Sequence, residues 1–307
     1  WYLANTFNQT FDPQISVSSG YSTIYLQTGY VRNTGIELSL GYNHTWNNNF
    51  HWDSNFTLSH NKNEIKELVR DYLHPETGEI INKDRLEIGK LGKAKFILKE
   101  GGTLGDLYSQ SDLKRDNNGM VEIDPSGALV VENNLDDIKL GTVFPKANLA
   151  WNNHFSWKGI SLSALITARI GGIVYSATEA AMDQYGVSER SALARDNGGV
   201  LLNGRTLVDA QTYYTAIGSE SGLPQYYTYS ATNVRLQEAS LGYTIPRKWL
   251  GNACDIQVSV VGRNLWMIYN KAPFDPEAVA TTDNYYQGID YFMLPSTRNI
   301  GVNVKIT

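Results

Sequence analysis

The sequence predicts an all-β chain whose antiparallel strands are long enough to cross a membrane. Three observations carry this. Apolar and polar residues alternate with period 2 in successive segments. Those segments run about 10–13 residues, close to the 9–11 that a tilted membrane strand needs and beyond the usual 5–6 of soluble strands. Short and long connections alternate, as they do between the two ends of an outer-membrane barrel. No run approaches the roughly 18–20 apolar residues of a membrane helix. A mean hydropathy of −0.33 does not exclude a barrel, because alternating strands average out.

Trp1–Phe11 reads as the first strand. In Gly35–Trp46, Ile36, Leu38, Leu40 and Tyr42 share one face, with Glu37, Ser39, Gly41 and Asn43 on the other. Asn47, Asn48 and Asn49 break the pattern, and Phe50–His60 resumes it, which makes a hairpin. Lys146–Phe155 and Ile160–Ile170 form the next pair, joined by a short link ending at Gly159. Ala231–Ile245 alternates with a slip near Glu238, the sign of a bulge. After a turn over 246–253, Ile256, Val258 and Val260 continue, and Ile300, Val302, Val304 and Ile306 make the last strand. This counts eight membrane strands; a further pair within 94–132 would make ten. Both numbers are even, as antiparallel closure requires. The connections 61–146, 171–230 and 267–296 are the long ones. They hold a helix over Ala177–Arg195 and a type I′ hairpin signal at Asn118-Gly119.

Alternation alone does not decide which face meets what. In a soluble sandwich the apolar face points to a core; in a membrane barrel it points to lipid and the polar face lines the lumen. Aromatics near strand ends (Trp46, Trp52, Trp157, Tyr175, Tyr243, Trp249, Trp266, Tyr269) favour the barrel, as interfacial girdles.

Several function classes are excluded. The net charge is −5, without the basic footprint of a nucleic-acid binder. Cys254 is the single cysteine, so an internal disulfide is impossible. His44, His51, His60, His74 and His154 form no HExxH pair, and they read as strand histidines, not metal ligands. Gly218–Gly222 spells GSESG, with Glu where a serine elbow needs Ser, and Gly92-Lys93 is followed by Ala94 where a phosphate loop needs Ser or Thr. The acidic run Asp112–Asp124 departs from a calcium loop at Lys114 and Asn117. The sequons at Asn8, Asn43 and Asn55 are expected by chance in an Asn-rich chain. No catalytic group, metal or cofactor is expected.

One stretch carries a resemblance. It runs Gly262-Arg263-Asn264-Leu265, Asp275-Pro276-Glu277, Gln287-Gly288-Ile289-Asp290-Tyr291, Pro295-Ser296-Thr297-Arg298 and Ile300–Ile306. The series resembles the ending of SusC/RagA-family TonB-dependent transporters. Asn33-Thr34-Gly35-Ile36-Glu37, Trp52, Asn61-Lys62-Asn63 and the glycine pair Gly171-Gly172 fit an upstream part of the same barrel. The resemblance implies the C-terminal portion of a 22-stranded outer-membrane barrel with long extracellular loops. It also implies the partners: the remaining N-terminal barrel and plug, TonB acting through that part, a SusD-like surface lipoprotein, an oligosaccharide or peptide ligand, and membrane lipid. The chain begins at Trp1 with no signal peptide, and is expected to be a piece of a longer polypeptide. It stops at Thr307, where the family usually ends in an aromatic.

Ligand contact is expected from the tyrosine-rich loops, because sugars and peptides both stack on aromatic faces. The candidates are Tyr213, Tyr214, Tyr226, Tyr227, Tyr285, Tyr286 and Tyr291, with Tyr229 beside them. Arg169, Arg235 and Glu238 are expected to be lumen-facing. Two other readings stay open: a passive porin-like barrel, and a soluble extracellular β-protein that binds glycans.

Overall fold

A computed structural model describes all residues except 12–24, 28, 48, 74–77, 220–221, 252–253 and 282–285. Eight strands form one antiparallel sheet in chain order: β1 (Tyr2–Phe7), β2 (Tyr30–Thr45), β3 (Phe50–Glu67), β4 (Ala147–Trp157), β5 (Ile160–Ile170), β6 (Asn233–Ile245), β7 (Ile256–Asn270) and β8 (Asn299–Ile306). The first strand stops at Phe7 because Asn8 takes a left-handed φ of 56°; Thr10–Phe11 pairs separately with Leu26–Gln27. The possible further pair within 94–132 is not part of this wall. Ala94–Lys99 and Asp106–Leu113 join Arg85–Leu91 and Val131–Thr142 in a separate four-stranded sheet. Their apolar residues Phe96, Leu98, Leu107 and Leu113 are buried in a core, which is why they do not belong to a lipid-facing surface.

The ladder places most apolar residues of the wall strands on one surface; Val31, Ile65, Leu165 and Val261 lie on the other. Leu40, Phe56, Trp151, Ile166, Leu236 and Trp266 follow one another across β2 to β7 in register. Among the described residues nothing covers this surface: Leu241 is 58% exposed, Val260 50% and Val302 69%. A soluble sandwich would bury these residues against a second sheet, so the soluble reading loses its physical basis. The opposite surface is polar, as in the row Asn43, Asp53, His154, Ser163, Ser240. Several polar residues interrupt the apolar side, among them His44, His60, Ser54 and Asn153. Ser54 and Asn153 each accept an indole N–H, from Trp151 (3.0 Å) and Trp52 (3.2 Å), so the indoles are satisfied without water.

The short turns are tight for local reasons. Lys158 and Gly159 both have positive φ (48° and 88°), the type I′ turn that matches strand twist. At Asn118-Gly119 the expected type I′ turn is instead a type I turn closed by Gly119 at φ 78°, with Asp116 accepting from the Asn118 and Met120 amides (2.8 and 2.9 Å). Asp124–Ala128 repeats it, Gly127 lying at φ 88°. The bulge expected near Glu238 falls at Gln237, which the register skips against both neighbours.

The long connections all leave one end of the wall, and there the buried core lies. It joins Val31 and Ile65 from the tops of β2 and β3 to Phe96, Tyr175, Ala180, Tyr214, Leu223 and Tyr227 from the loops. Tyr175 belongs here, 1% exposed in the strand Ile173–Ser176, and not to an interfacial girdle. The single expected helix is two, α1 (Ala177–Gln184) and α2 (Glu189–Asp196). Gly186 at φ 67° ends the first, and Ser188 caps the second by accepting from Ser191 N at 3.1 Å. A third, α3 (Ala210–Ile217), starts from Asp209, which accepts from Thr212 N at 3.0 Å. Among the described residues, no helix is long and apolar enough to cross a membrane.

The two faces of β7 should respond oppositely to charge. In the intact barrel that contains this chain, Val260→Arg on the apolar side is expected to cost about 2–4 kcal/mol, and Ser259→Arg on the polar side under about 1. Urea unfolding in lipid vesicles, read by Trp fluorescence, measures the difference.

Candidate functional site: the lumen face and the outer loops

Polar residues of β2 to β6 line a cleft of about 730 Å³ on the polar face. Glu37, Ser39, Thr57, Ser59, Asn148, Arg169 and Gln237 are on its wall, and Glu277 reaches it from the loop after β7. Leu38, Leu58, Leu149, Ala150 and Ala168 also contribute, so polar groups stand on a largely carbon-lined surface that leaves room. Arg169 pairs in register with Asn148 near the top of β5, and its Nη2 donates to the Val143 carbonyl at 2.7 Å.

Arg235 is 5% exposed and organises the rim. Its guanidinium grips Asp275 with two nitrogens (2.8 and 3.3 Å), pairs with Glu277 at 3.2 Å, and donates from Nε to Asn233 at 3.2 Å. Asp275-Pro276-Glu277 is therefore a clamp that folds the 271–277 loop back over the wall. Burial pushes the Asp275 carboxyl up, but the Arg235 hydrogen bond and its neighbours hold it below its ordinary value. Glu238, past the bulge, pairs with Arg263 on β7 at 2.8 Å.

The tyrosines separate into two groups. Tyr227 is fully buried and its hydroxyl donates to Asp183 at 2.9 Å. Tyr214 is 9% exposed and donates to the Arg190 carbonyl at 3.3 Å. Tyr213 stands edge-on to Tyr214, and Tyr226 packs on the same core. Tyr229 donates to Glu179 at 2.9 Å and meets Phe274 edge-on. Tyr286 and Tyr291 show more surface (37% and 41%), set edge-on to Phe96 and Phe292. Tyr285 lies outside the described residues.

Two buried carboxylates hold the loops, and neither stands out in the sequence. Asp183 receives Tyr227, Ser188 and Arg190, the last at 2.6 Å. Asp137 receives Arg85 (2.7 Å), Lys99 (2.9 Å) and Gln110 (2.7 Å). The Arg85 hydrogen bond, aided by Lys99 and Gln110, holds the Asp137 carboxyl well below the usual carboxylate range. The signal for Asp183 lay in its surroundings, between two serine caps at Ser176 and Ser188. Among the described residues, no three His, Cys, Asp or Glu side chains converge as a metal site.

An apolar outer band on long antiparallel strands, a polar inner face and a loop crown at one end define a segment of a transmembrane β-barrel wall. Comparison with known proteins specifies the kind of barrel. No protein-family model matches the chain. TonB-dependent receptor P3 of Formosa agariphila is 24% identical across 99% of this chain, and TonB-dependent receptor P26 of the same organism 22% identical across 100%. The chain spans 32% of the length of either relative. The structure of the RagAB peptide importer superposes with a TM-score of 0.68 in the closed-closed state and 0.63 in the open-open state. The identity is 18% in both cases, over 98% of this chain and 32% and 31% of the importer chain. The chain is homologous to TonB-dependent receptors throughout, and its fold is that of a stretch of the RagA-type barrel.

Two outcomes follow for the loops. Burial, first, and neighbouring carboxylates push the phenols of Tyr108 and Tyr229 up to about 12; burial and Tyr226 do the same for Tyr213. Burial and Asp183 push Tyr227 up as well. These raised phenols keep their protons when the unfolded chain loses its own, near pH 10. Their contribution to loop stability is full below about pH 10 and falls as pH rises toward 12. Absorbance at 295 nm should show this group ionising only in strong alkali, together with loop opening. Separately, Asp183→Ala should cost the loops about 3 kcal/mol, since two hydroxyls and a guanidinium lose their acceptor. Hydrogen exchange in the detergent-solubilised receptor should show faster exchange over 177–230 and unchanged exchange over β4 and β5.

Proposed function

We propose that this chain is wall and outer loops of an outer-membrane importer energised through TonB, taking up an oligosaccharide or a peptide together with a SusD-like surface lipoprotein. The observation that carries it is the two-faced wall, apolar and uncovered outside, polar and cleft-bearing inside, in a chain similar along its length to TonB-dependent receptors. The structural neighbour is a peptide importer, which favours a peptide among the two ligand classes. Its two-component name, RagAB, supports the lipoprotein partner. The chain supplies shape and contact, not catalysis. The TonB-engaging plug and the remaining strands are assigned to the rest of the same transporter.

Within this reading the loop tyrosines take different roles. Tyr213, Tyr214, Tyr226 and Tyr227 build the crown, while Tyr286 and Tyr291 offer ring surface to a ligand or to the lipoprotein. Arg169, Arg235 and Glu238 shape the lumen rim, Arg235 by holding the 271–277 loop.

The test is uptake by the full receptor in a strain lacking its own copy. Labelled oligopeptide or oligosaccharide should enter only with TonB present, and the receptor should need detergent for extraction and bring a surface lipoprotein with it. Entry without TonB would indicate a porin; a monodisperse receptor without detergent would indicate a soluble glycan binder. Tyr286→Ala and Tyr291→Ala should each weaken ligand or lipoprotein binding about fivefold, the worth of one aromatic contact.

A further inference from the structure

The outer surface of the wall changes character where β2 and β3 outgrow the bilayer. From Trp46 to Ile36 a strand tilted by about 40° climbs about 25 Å, the height of the apolar band of an outer-membrane barrel. The next outward positions on β2 are Thr34 and Arg32, and their partners on β3 are Lys62 and Glu64. The alternate residues Val31, Asn63 and Ile65 are buried on the other side, which fixes the outward direction of this set.

Three cations gather there with two carboxylates, Glu64 and, opposite Tyr30, Glu67. Lys62 and Lys66 share Glu64, at 3.2 and 2.5 Å. Arg32 has no carboxylate partner among the described residues. Its Nε donates to Asn5 Oδ1 at 3.1 Å and its Nη2 to the Tyr30 hydroxyl, which in turn donates to Asn5 at 3.0 Å. Tyr30 is stacked on Phe7, ring centroids 4.6 Å apart. The guanidinium is therefore held in place by neutral groups and keeps its charge unspent. Lys62 is 68% exposed, with its ammonium open to solvent beside Glu64. By contrast, the outward residues at the loop ends of β4, β5 and β6 are Ala147, Ile170 and Val234, so the positive surplus of β2 and β3 does not continue onto these strands. Cations placed at the junction of hydrocarbon and headgroup extend into the polar layer at little cost and attract anionic headgroups.

We propose that Arg32, Lys62 and Lys66 form a binding site for the phosphorylated headgroup of an outer-leaflet lipid, whose acyl chains lie down the wall over Ile36 and Leu38. The phosphate would take hydrogen bonds from the Arg32 fork and from the two ammonium groups that Glu64 keeps near each other. The site goes beyond the import reading and rests only on its membrane placement.

Native mass spectrometry of the full receptor in detergent tests this with three probes: lipid A, the same lipid with its phosphates removed, and inorganic phosphate. Each cation beside an anionic headgroup is worth about fivefold in affinity. Wild type should retain lipid A at least tenfold better than the dephosphorylated lipid. Lys62→Gln/Lys66→Gln, which leaves the Arg32 network intact, should lose about ten- to thirtyfold of that retention. Adding Arg32→Gln should abolish the preference, with folding checked by heat-modifiable migration on gels; if that triple variant does not fold, the double variant decides. Raising salt should release the lipid from wild type. Equal retention of the two lipids, or no change in the double variant, would overturn the proposal. So would saturation by inorganic phosphate that blocks no lipid. A receptor that stays monodisperse without detergent would overturn the membrane placement itself, which is a different result.

Discussion

A peptide group inside a bilayer has no water to bond to, and the rest of this structure depends on that constraint. Each unpaired N–H or C=O in hydrocarbon costs several kcal/mol, so a spanning sheet must run as an unbroken ladder from one interface to the other. The ladder from β2 to β7 does so, with only bulges as departures, while β1 pairs with β2 only over Tyr30–Gly35. Once the ladder is set, pleating sends alternate side chains to opposite solvents, and two-sided composition follows. Even the indoles of Trp52 and Trp151 obey the rule, donating to Asn153 and Ser54 across the strand pair.

The same constraint moves the buried core. A wall one sheet thick has lipid on one side and lumen on the other, so it cannot bury its own apolar residues. The close-packed cluster lies instead where the chain leaves the membrane, among the loop strands, the three helices and the tops of β2 and β3. Water is present there, and the hydrophobic effect again drives packing. Charged hubs complete it: Asp183 under α1 and α2, Asp137 on the loop sheet, and Arg235 tying the 271–277 loop to the rim. The crown is thus a small soluble-type domain built on a membrane platform, and its ligand-facing surface is as rigid as that core makes it.

Legibility from sequence followed the same division. The eight wall strands were readable because each must alternate, whatever its neighbours do. Where β2 and β3 pass beyond the bilayer, alternation of hydrophobicity ends although the strands continue to Tyr30 and Glu67, so their outer ends were missed. The loop strands Ala94–Lys99 and Asp106–Leu113 looked like a possible fifth hairpin of the wall, since a buried strand and a lipid-facing one share apolar content. The helix α3 was hidden in a tyrosine-rich run, its one local sign being Asp209 three residues before Thr212. The tyrosines were visible as a group, but not which of them lie beneath the surface.

What the sequence by itself determined is the membrane-crossing wall and its kinship, because period-2 patterning, strand length and the motif series near the end are local properties. What only the tertiary structure decided is the identity of the groups that act. Burial separates Tyr227 and Tyr214 from Tyr286 and Tyr291. Contacts across 40 or more residues join Arg235 to Asp275 and Tyr227 to Asp183. Antiparallel pairing brings Arg32 beside Glu64 and Lys66 on the outer surface. The physical reason is that exposure and electrostatic partnership depend on residues distant in the chain, whereas the alternation that a bilayer demands is written within each strand.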